Sequence, residues 1–476
     1  VINFLPGKTL MKFDRQLPFY NWLYPMKGQE LDTVSHHDFH TGVRTDGVRS
    51  RALYFHIPFC DTICTFCTLN RGLGSSGDEQ IETYVQALLK EIALKGKYAE
   101  VTSVPIRAIF FGGGTPTTLT AGQITRIGRA IHDNFDLSAL EEFTFEAEVK
   151  SVTEEKCAAM RDIGVNKARF GLQSFDPLYR EMFNITATIE QEHEAAALFA
   201  RYFDYTSFDM IYGMHGQTFE QFSRDIEYAT SMGTATMELY PISNVVTQAP
   251  LHRNYAARGL EPLSFIDKMA QSIYLNQYLR ASGFQQHNGH GFLRLPDGAR
   301  PGPHFINRDY VNLYNTHTWS HHDDELIGLG NSAISQVANH TVMNDDNRAT
   351  YVKNLLDSND VKINLSIGDG IPYERGIILY LPYFGWLDKS RIAWEHIPSE
   401  ITDKLGTLVQ EGMLEEDAQE YRITELGWVW YVNMMYYLSP ASDQKVLDEF
   451  TALKRRTRGL TDGDDRMLPL LQVGAR

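Results

Sequence analysis

Three of the four cysteines, Cys60, Cys64 and Cys67, crowd into HIPFCDTICTFC at residues 56–67. Thiol usage this sparse does not make a disulfide framework, and it suits a metal or redox site in a reducing compartment. Three thiolates hold three irons of a four-iron cluster, whereas a fully protein-ligated cluster takes four cysteines. One iron is then left open, and an open coordination position marks reactive chemistry rather than a structural role. The competing reading is a zinc site with His56 as the fourth ligand, although zinc motifs usually show paired CxxC units. Cys157 lies far along the chain in a predicted helix. It reads as a buried apolar filler, with a fourth-ligand role as the lesser alternative.

Such a loop needs a scaffold. RALYFHI (51–57) has the texture of a strand, and DEQIETYVQALLKEIALKG (78–96) has helical apolar spacing. The alternation recurs with PIRAIFFG, EEFTFEAE, NKARFGLQ, YTSFDMIYG and TATMELYPI, each separated by a helical segment. Six such strands predict a parallel α/β architecture. They are too few for a closed eight-stranded barrel, so the expected form is an open, partial (β/α)6 TIM-type barrel, with a doubly wound sheet as the alternative. The cysteines follow the first strand directly, at the carboxyl ends of the strands, where these folds build active sites. The second strand ends in FFGGGTP (110–116), whose glycines let the backbone approach a ligand closely.

Four regions follow from this reading. Residues 1–50 form an N-terminal extension with Phe19, Tyr20, Trp22 and Tyr24, packed over the body. Residues 51–283 form the partial barrel. Residues 284–365 are an irregular connecting segment rich in His, Asn, Gly and Pro, with the loop LIGLGNSAIS at 326–335. Residues 366–476 form a small helical, winged-helix-like domain with a helix in SEITDKLGTLVQEGML, a hairpin in MLEEDAQEYRITELG and an aromatic helix in WVWYVNMMYYL. In an acidic chain that shape is better read as a cap on an active site than as a DNA reader.

The CxxxCxxC spacing resembles the radical S-adenosylmethionine (SAM) superfamily, and YFHIPFCDTICTFC (54–67) looks like its HemN-like branch of oxygen-independent coproporphyrinogen III oxidases. The resemblance covers residues 50–340 well and the C-terminal domain loosely. It implies a [4Fe-4S] cluster on Cys60, Cys64 and Cys67, with SAM chelating the open iron and cleaved to a 5′-deoxyadenosyl radical. Gly112, Gly113, Gly114 and Thr115 resemble the segment that binds the SAM amino group. Glu146 matches the ribose-binding glutamate. Gln173 and Asp209 match polar SAM contacts, Tyr54 and Phe66 match aromatics flanking the cluster and adenine, and Tyr240 belongs to the cofactor-binding set. Gly328, Gly330 and Ala333, in GLGNSA, resemble a segment that helps to hold a second SAM.

The chain departs from the family in two places. Ile185 stands near the position of an arginine that serves a SAM carboxylate, with Arg180 only a turn or so earlier. Met214-His215 replaces the usual Leu-Pro after IYG. His215 is therefore a candidate substrate-facing acid or base, with a histidine bonded within its own loop as the plain alternative.

Radical SAM chemistry leaves the outcome open. A coproporphyrinogen dehydrogenase carries an Arg-Tyr-Thr-Ser-Tyr-Pro segment and a further cysteine just after the third, and both are missing here. A non-enzymatic haem-carrying relative has a His-Asn…Tyr-Trp motif that YVNLYNTHTW lacks. Two-SAM methyl transfer remains, in which a methylene radical from the second SAM adds to an sp² carbon. One form is anaerobic haem-degrading methylation, resembled through NLYN and LYPISNVVTQAPL. The other is C-methylation or cyclopropanation of a natural product, as in antibiotic biosynthesis. The second is preferred, because haem propionates favour a basic rim and the loops QQHNGHG and NTHTWSHHDD are neutral to acidic. In these loops His287, His290, His317, His321 and His322 are candidates for substrate proton transfer, His287 and His290 foremost.

The chain of 476 residues has 43% hydrophobic and 22% charged residues and a formal charge of −16, values that suit a soluble cytoplasmic enzyme and disfavour nucleic acid. No membrane span or leader is expected. The expected partners are a small-molecule substrate, an electron donor such as flavodoxin or ferredoxin, and a partner methyltransferase.

Overall fold

The computed structural model describes residues 17, 24–25, 47–67, 69–242, 249–296, 298, 312–319, 321–337, 340–367 and 371–458. The expected extension at 1–50 lies almost wholly outside the described residues, as do residues 243–248 of the LYPISNVVTQAPL segment.

All six expected strands form: β1 (Ser50–Ile57), β2 (Ile106–Gly113), β3 (Glu142–Ala147), β4 (Lys167–Gln173), β5 (Tyr205–Tyr212) and β6 (Thr236–Pro241). They pair in parallel, in chain order. One side chain in two faces outward into the main core, where Leu53, Phe55, Ile109, Phe111, Phe143, Phe145, Phe170 and Phe208 are all buried. Phe111 stacks on Phe55 at 4.6 Å and on Phe145 at 5.0 Å between ring centroids. Each such ring is stabilised by about 1.5–3 kcal/mol through burial, and this layer fixes the register.

The crossover helices include α1 (Glu79–Lys95), α2 (Ala121–Asn134), α3 (Glu154–Asp162), α4 (Ile189–Tyr202) and α5 (Phe219–Ser231). Three of them begin with reciprocal capping boxes, Thr120/Gln123, Thr188/Gln191 and Thr218/Gln221, which satisfy the first free amides of each helix. Then follow α6 (Ala249–Ala257) and α7 (Phe265–Ala281).

The stretch 284–365 differs from the irregular segment expected of it. It supplies β7 (Phe284–Gln286), β8 (Gly291–Arg294), the short helix α8 (Leu313–Thr318), β9 (Asp324–Leu329), β10 (Ile334–Val337), β11 (His340–Asn344) and β12 (Ile363–Ile367). β9 pairs in parallel with β1 and adds a seventh parallel strand beside the cysteine loop. The full order is β12-β11-β10-β9-β1-β2-β3-β4-β5-β6-β8-β7, an open sheet rather than a closed barrel.

The C-terminal region has its own core, which includes Leu405, Leu408, Met413, Trp430 and Met434. Its helix α9 (Ser399–Gln410), the hairpin of Leu414–Glu416 and Glu420–Ile423, and the aromatic helix α10 (Tyr431–Leu438) fall where the sequence places them. Trp386–Asp388 adds a third strand to the hairpin. Among the described residues no helix is long and apolar enough to cross a membrane.

Candidate active site

Opposite the apolar layer, the other residue of each strand pair faces inward, and there the side chains turn polar. Glu142, Thr144 and Glu146 come from β3, Lys167, Arg169, Gly171 and Gln173 from β4, Asp209 from β5, and Glu238 and Tyr240 from β6. The register aligns Glu146 with Arg169, and Gly171 with Asp209 and then Glu238. The expected ligands at successive strand ends therefore share one face.

The cysteine loop hangs over the carboxyl end of β1. Phe59–Cys60 pairs with Gly72–Leu73, which closes the loop on itself. All three thiols are free. Burial raises them, Cys60 to about 11 and Cys64 to about 12, so each gives up a proton only on meeting a metal. Thr115 donates from its hydroxyl to the Cys60 sulfur at 3.3 Å. Arg71 donates to the carbonyls of Leu69 (2.7 Å), Cys67 (2.7 Å) and Cys64 (3.2 Å).

His56 does not complete a zinc set. Its Nε2 faces the Asn70 carbonyl at 2.8 Å and must donate, which leaves Nδ1 to accept from the Tyr54 hydroxyl at 3.0 Å. Both nitrogens are used, and burial lowers the ring to about 4, so it stays neutral. Among the described residues, no three His, Cys, Asp or Glu side chains converge as a single-ion site would require. Cys157 sits fully buried in the core on α3, as a filler.

The glycine turn passes very close to the loop. Gly113 has φ +107°, and an added Cβ would meet the His56 ring at 2.6 Å. At Gly114 a Cβ would lie 2.6 Å from the Phe59 carbonyl oxygen, and at Gly112 it would lie 2.8 Å from Glu146 Oε2. A side chain at Gly113 or Gly114 would collide with His56 or with the backbone that leads into the cysteine loop, and one at Gly112 would crowd Glu146. Gln173 reaches its place at the end of β4 with φ +70°, a left-handed backbone that costs a non-glycine residue energy and marks functional sites.

Arg169 organises the carboxylates. It binds Asp209 through Nη2 (2.6 Å) and Nε (3.1 Å), and it donates to the Tyr240 hydroxyl at 2.5 Å. Burial opposes its charge, but Asp209, Tyr240, Glu238 and Glu146 outweigh that, and it stays protonated. Burial raises Glu146 to about 7 against the pull of Arg169, and Glu238 likewise to about 7. Arg180 is committed elsewhere. It bonds the carbonyls of Leu172, Ser174 and Ala187 and pairs with Glu192, and so ties the loop after β4. Ile185 packs against the core.

Tyr54 lies in a stack with Phe110 and Tyr314, the last two 4.2 Å apart, that fills the inner face below the cluster loop. Phe66 meets Phe183 edge-on at 5.0 Å.

His287 and His290 sit in the tight turn between β7 and β8. Asn288 Oδ1 closes that turn by accepting from the amides of His290 (2.9 Å) and Gly291 (2.7 Å). His287 Nε2 is 3.7 Å from Glu238 Oε1, and the His290 ring lies 4.6 Å from that of Tyr240 and 3.0 Å from the Tyr431 hydroxyl. Both belong to the inner-face group. Burial, then nearby cations, lowers His287 to about 3 and holds His290 well below the usual imidazole range, so both are neutral acceptors or donors rather than proton reservoirs.

Other expected residues fall elsewhere. The His215 ring stacks on Tyr255 at 4.2 Å in a small apolar cluster around Met214, Tyr179 and Ile242, apart from the carboxylate group. His317 uses both nitrogens, donating to the Leu313 carbonyl (2.6 Å) and accepting from Ser50 (2.7 Å), so it is structural. His321 and His322 pack against Tyr380 and Tyr373 of the C-terminal region. Gly328 is within β9 rather than in a loop, and its amide donates to Ser335 Oγ. The Gly330 amide donates to Glu91 and its carbonyl accepts from Asn344, and the Ala333 amide donates to Gly330. This segment lies beside the cysteine loop, but its backbone groups are already bonded within the protein and are not offered to a ligand.

Arg169, Glu238 and Arg71 escaped the sequence reading. Period-two spacing carried the first two, since Arg169 is two and four residues before Gly171 and Gln173, and Glu238 is two before Tyr240.

Residues 54–229 match the radical SAM superfamily. The chain carries a radical SAM domain. It is 25% identical over 390 residues to the heme chaperone HemW of Lactococcus lactis subsp. lactis (strain IL1403), covering 80% of this chain and 95% of that protein. It is 31% identical over 217 residues to an anaerobilin synthase of Escherichia coli O157:H7, which covers 44% of this chain and 46% of the synthase. In fold it is similar to coproporphyrinogen III oxidase (HemN) from Escherichia coli, with TM-score 0.68 and 21% identity over 89% of this chain and 99% of that one. A radical SAM domain takes a [4Fe-4S] cluster and SAM as its cofactors. The residues present fit them: three free thiols in one loop, a His56 ring with both nitrogens engaged, a tight glycine turn beside the loop, and a buried Arg71 Nε without a hydrogen-bond partner among the described residues.

Proposed function

We propose that this radical SAM enzyme methylates or cyclopropanates an sp² carbon of a small natural product, with two SAM molecules bound. The observation that carries the reading is the charge of the inner face. Glu142, Glu146, Asp209 and Glu238 face two cations there, and both cations are engaged, Lys167 lying 3.7 Å from Glu142 and Arg169 gripping Asp209. The surroundings of His290 are the hydroxyl-bearing rings of Tyr240 and Tyr431. A wall of this kind favours a neutral or N–H-bearing ring system and disfavours one that carries several carboxylates.

The bound cofactors would supply the carbon radical and the methyl group. Cys60, Cys64 and Cys67 would hold the cluster, and Gly112–Thr115, Glu146, Gln173 and Asp209 would hold the first SAM. Tyr54 and Phe66 would flank cluster and adenine, and Tyr240 would complete the cofactor wall. The segment with Gly328, Gly330 and Ala333 would bound the second SAM by packing alone, because its backbone groups are spent. His287 and His290, held neutral, would orient the substrate by hydrogen bonds.

A second reading is methylation with ring opening of haem. The 31% identity to an anaerobilin synthase favours it. One experiment separates the two. The cluster is reconstituted anaerobically, SAM and a low-potential reductant are supplied, and 5′-deoxyadenosine and S-adenosylhomocysteine are both quantified with haem, coproporphyrinogen or candidate unsaturated heterocycles. Both products with a heterocycle and not with haem support the proposal, and both with haem support the second reading. Deoxyadenosine without S-adenosylhomocysteine across the whole set overturns methyl transfer.

A further inference from the structure

Arg71 follows the third cysteine by four residues and has no part in the roles assigned above. Its guanidinium bonds three carbonyls of the cysteine loop, two of them belonging to the cluster cysteines Cys64 and Cys67. Its Nε is buried, and among the described residues nothing accepts from it. Lys150, the nearby alternative, is taken up by Asp61 and Thr62 on the outer side of the loop. The arginine is therefore a fixed positive charge with a spare donor, built into the loop that would carry the cluster.

We propose that Arg71 sets the reduction potential of the cluster. A [4Fe-4S] cluster on three thiolates takes one electron on going from the 2+ to the 1+ state, and it gains one negative charge. A half-buried guanidinium bonded to the loop that carries the cluster favours the reduced state. Hydrogen bonds to cluster sulfurs act in the same direction. The electron comes from a one-electron donor, either a low-potential flavin or iron–sulfur protein, or dithionite in the test. Arg71 is thus a tuning residue: it touches the loop and acts through the cluster. The inference rests on the radical SAM reading.

The test is an anaerobic redox titration of the reconstituted full chain, followed by the electron paramagnetic resonance signal of the reduced cluster, with iron and sulfide counted beforehand. Arg71→Gln is expected to load iron as the parent does and to become reducible only at a more negative potential, with Arg71→Lys restoring most of the shift. An unchanged potential in loaded Arg71→Gln overturns the proposal, as does an Arg71→Lys potential that stays with that of Arg71→Gln. Loss of iron from both variants overturns it too, since Arg71 would then be only a brace for the loop. A parent chain that binds no four-iron cluster sinks the radical SAM reading instead.

Discussion

Arg169 holds Asp209 by two nitrogens, at 2.6 and 3.1 Å, while the same guanidinium reaches the Tyr240 hydroxyl. One cation thus ties three neighbouring strands together and offsets the charge of the acidic wall. Removing one partner of a buried pair leaves the other uncompensated, at a cost of about 3–5 kcal/mol. Arg169→Gln should therefore lower the melting temperature sharply, and SAM binding should weaken by at least an order of magnitude. Calorimetry and equilibrium dialysis read the two effects, and Arg169→Gln combined with Asp209→Asn should recover part of the stability. A single variant as stable as the parent would mean that the pair is idle.

Replacing Cys60, Cys64 or Cys67 with Ala should in each case abolish the four-iron signal and 5′-deoxyadenosine formation. Cys157→Ala should keep both and cost about 1 kcal/mol, because it removes a small buried group from the core. Iron analysis and spectroscopy of the four variants make the comparison. Loss of the cluster in Cys157→Ala would assign it a ligand role after all.

The six parallel strands were legible because their apolar residues recur at every second position between helical stretches, a pattern that burial in one core enforces. That the cysteine loop, the glycine turn, Glu146 and Asp209 come together was legible for the same reason, since topology alone sends them to one side of the sheet. The strands of 284–365 were not. They are short, as in the three residues Phe284–Gln286, and they are embedded in His, Asn and Gly. Two of their pairings, β8 antiparallel on β6 and β9 parallel on β1, join partners distant in sequence, which local texture does not encode. Residue type misled where hydrogen bonding decides the role. His317 reads like a catalytic base until both its nitrogens are traced to Ser50 and Leu313. Arg169 was hidden by the opposite error, since a charged residue within a strand weakens the apolar signal that the eye follows.

Burial raises the carboxyls of Glu146 and Glu238 from the ordinary value to about 7 in the folded chain. A carboxyl raised in this way contributes stability in full below its ordinary value near 4.5, and that contribution is lost as pH rises through about 7. The cofactor-free protein should thus lose melting temperature between pH 5 and pH 8. Glu146→Gln should flatten part of that slope and gain stability at pH 8 relative to the parent. In the same window SAM affinity should rise with pH, because the ionised carboxylate is the better acceptor for ribose hydroxyls. A parent whose melting temperature climbs from pH 5 to pH 8 would contradict the assignment, provided the same trend persists in Glu146→Gln.

His290 and His317 are both nearly inaccessible, yet their surroundings predict opposite outcomes. The His290 ring faces Tyr240 and Tyr431 on the inner face, so His290→Ala should leave folding and cofactor loading largely intact. Its cost should fall on coupling: 5′-deoxyadenosine should still form, while product per deoxyadenosine drops by about tenfold, the scale of one lost substrate hydrogen bond of about 1.4 kcal/mol. His317 braces α8 against β1 through Ser50, so His317→Ala should lower the melting temperature, an effect on the order of 1–3 kcal/mol for two buried hydrogen bonds left unmade. What remains folded should keep the parent ratio of product to deoxyadenosine. Measuring that ratio beside the melting temperature for both variants separates the roles. A reversed pattern, with His317 controlling coupling and His290 controlling only stability, would move the substrate site away from the β6–β8 wall.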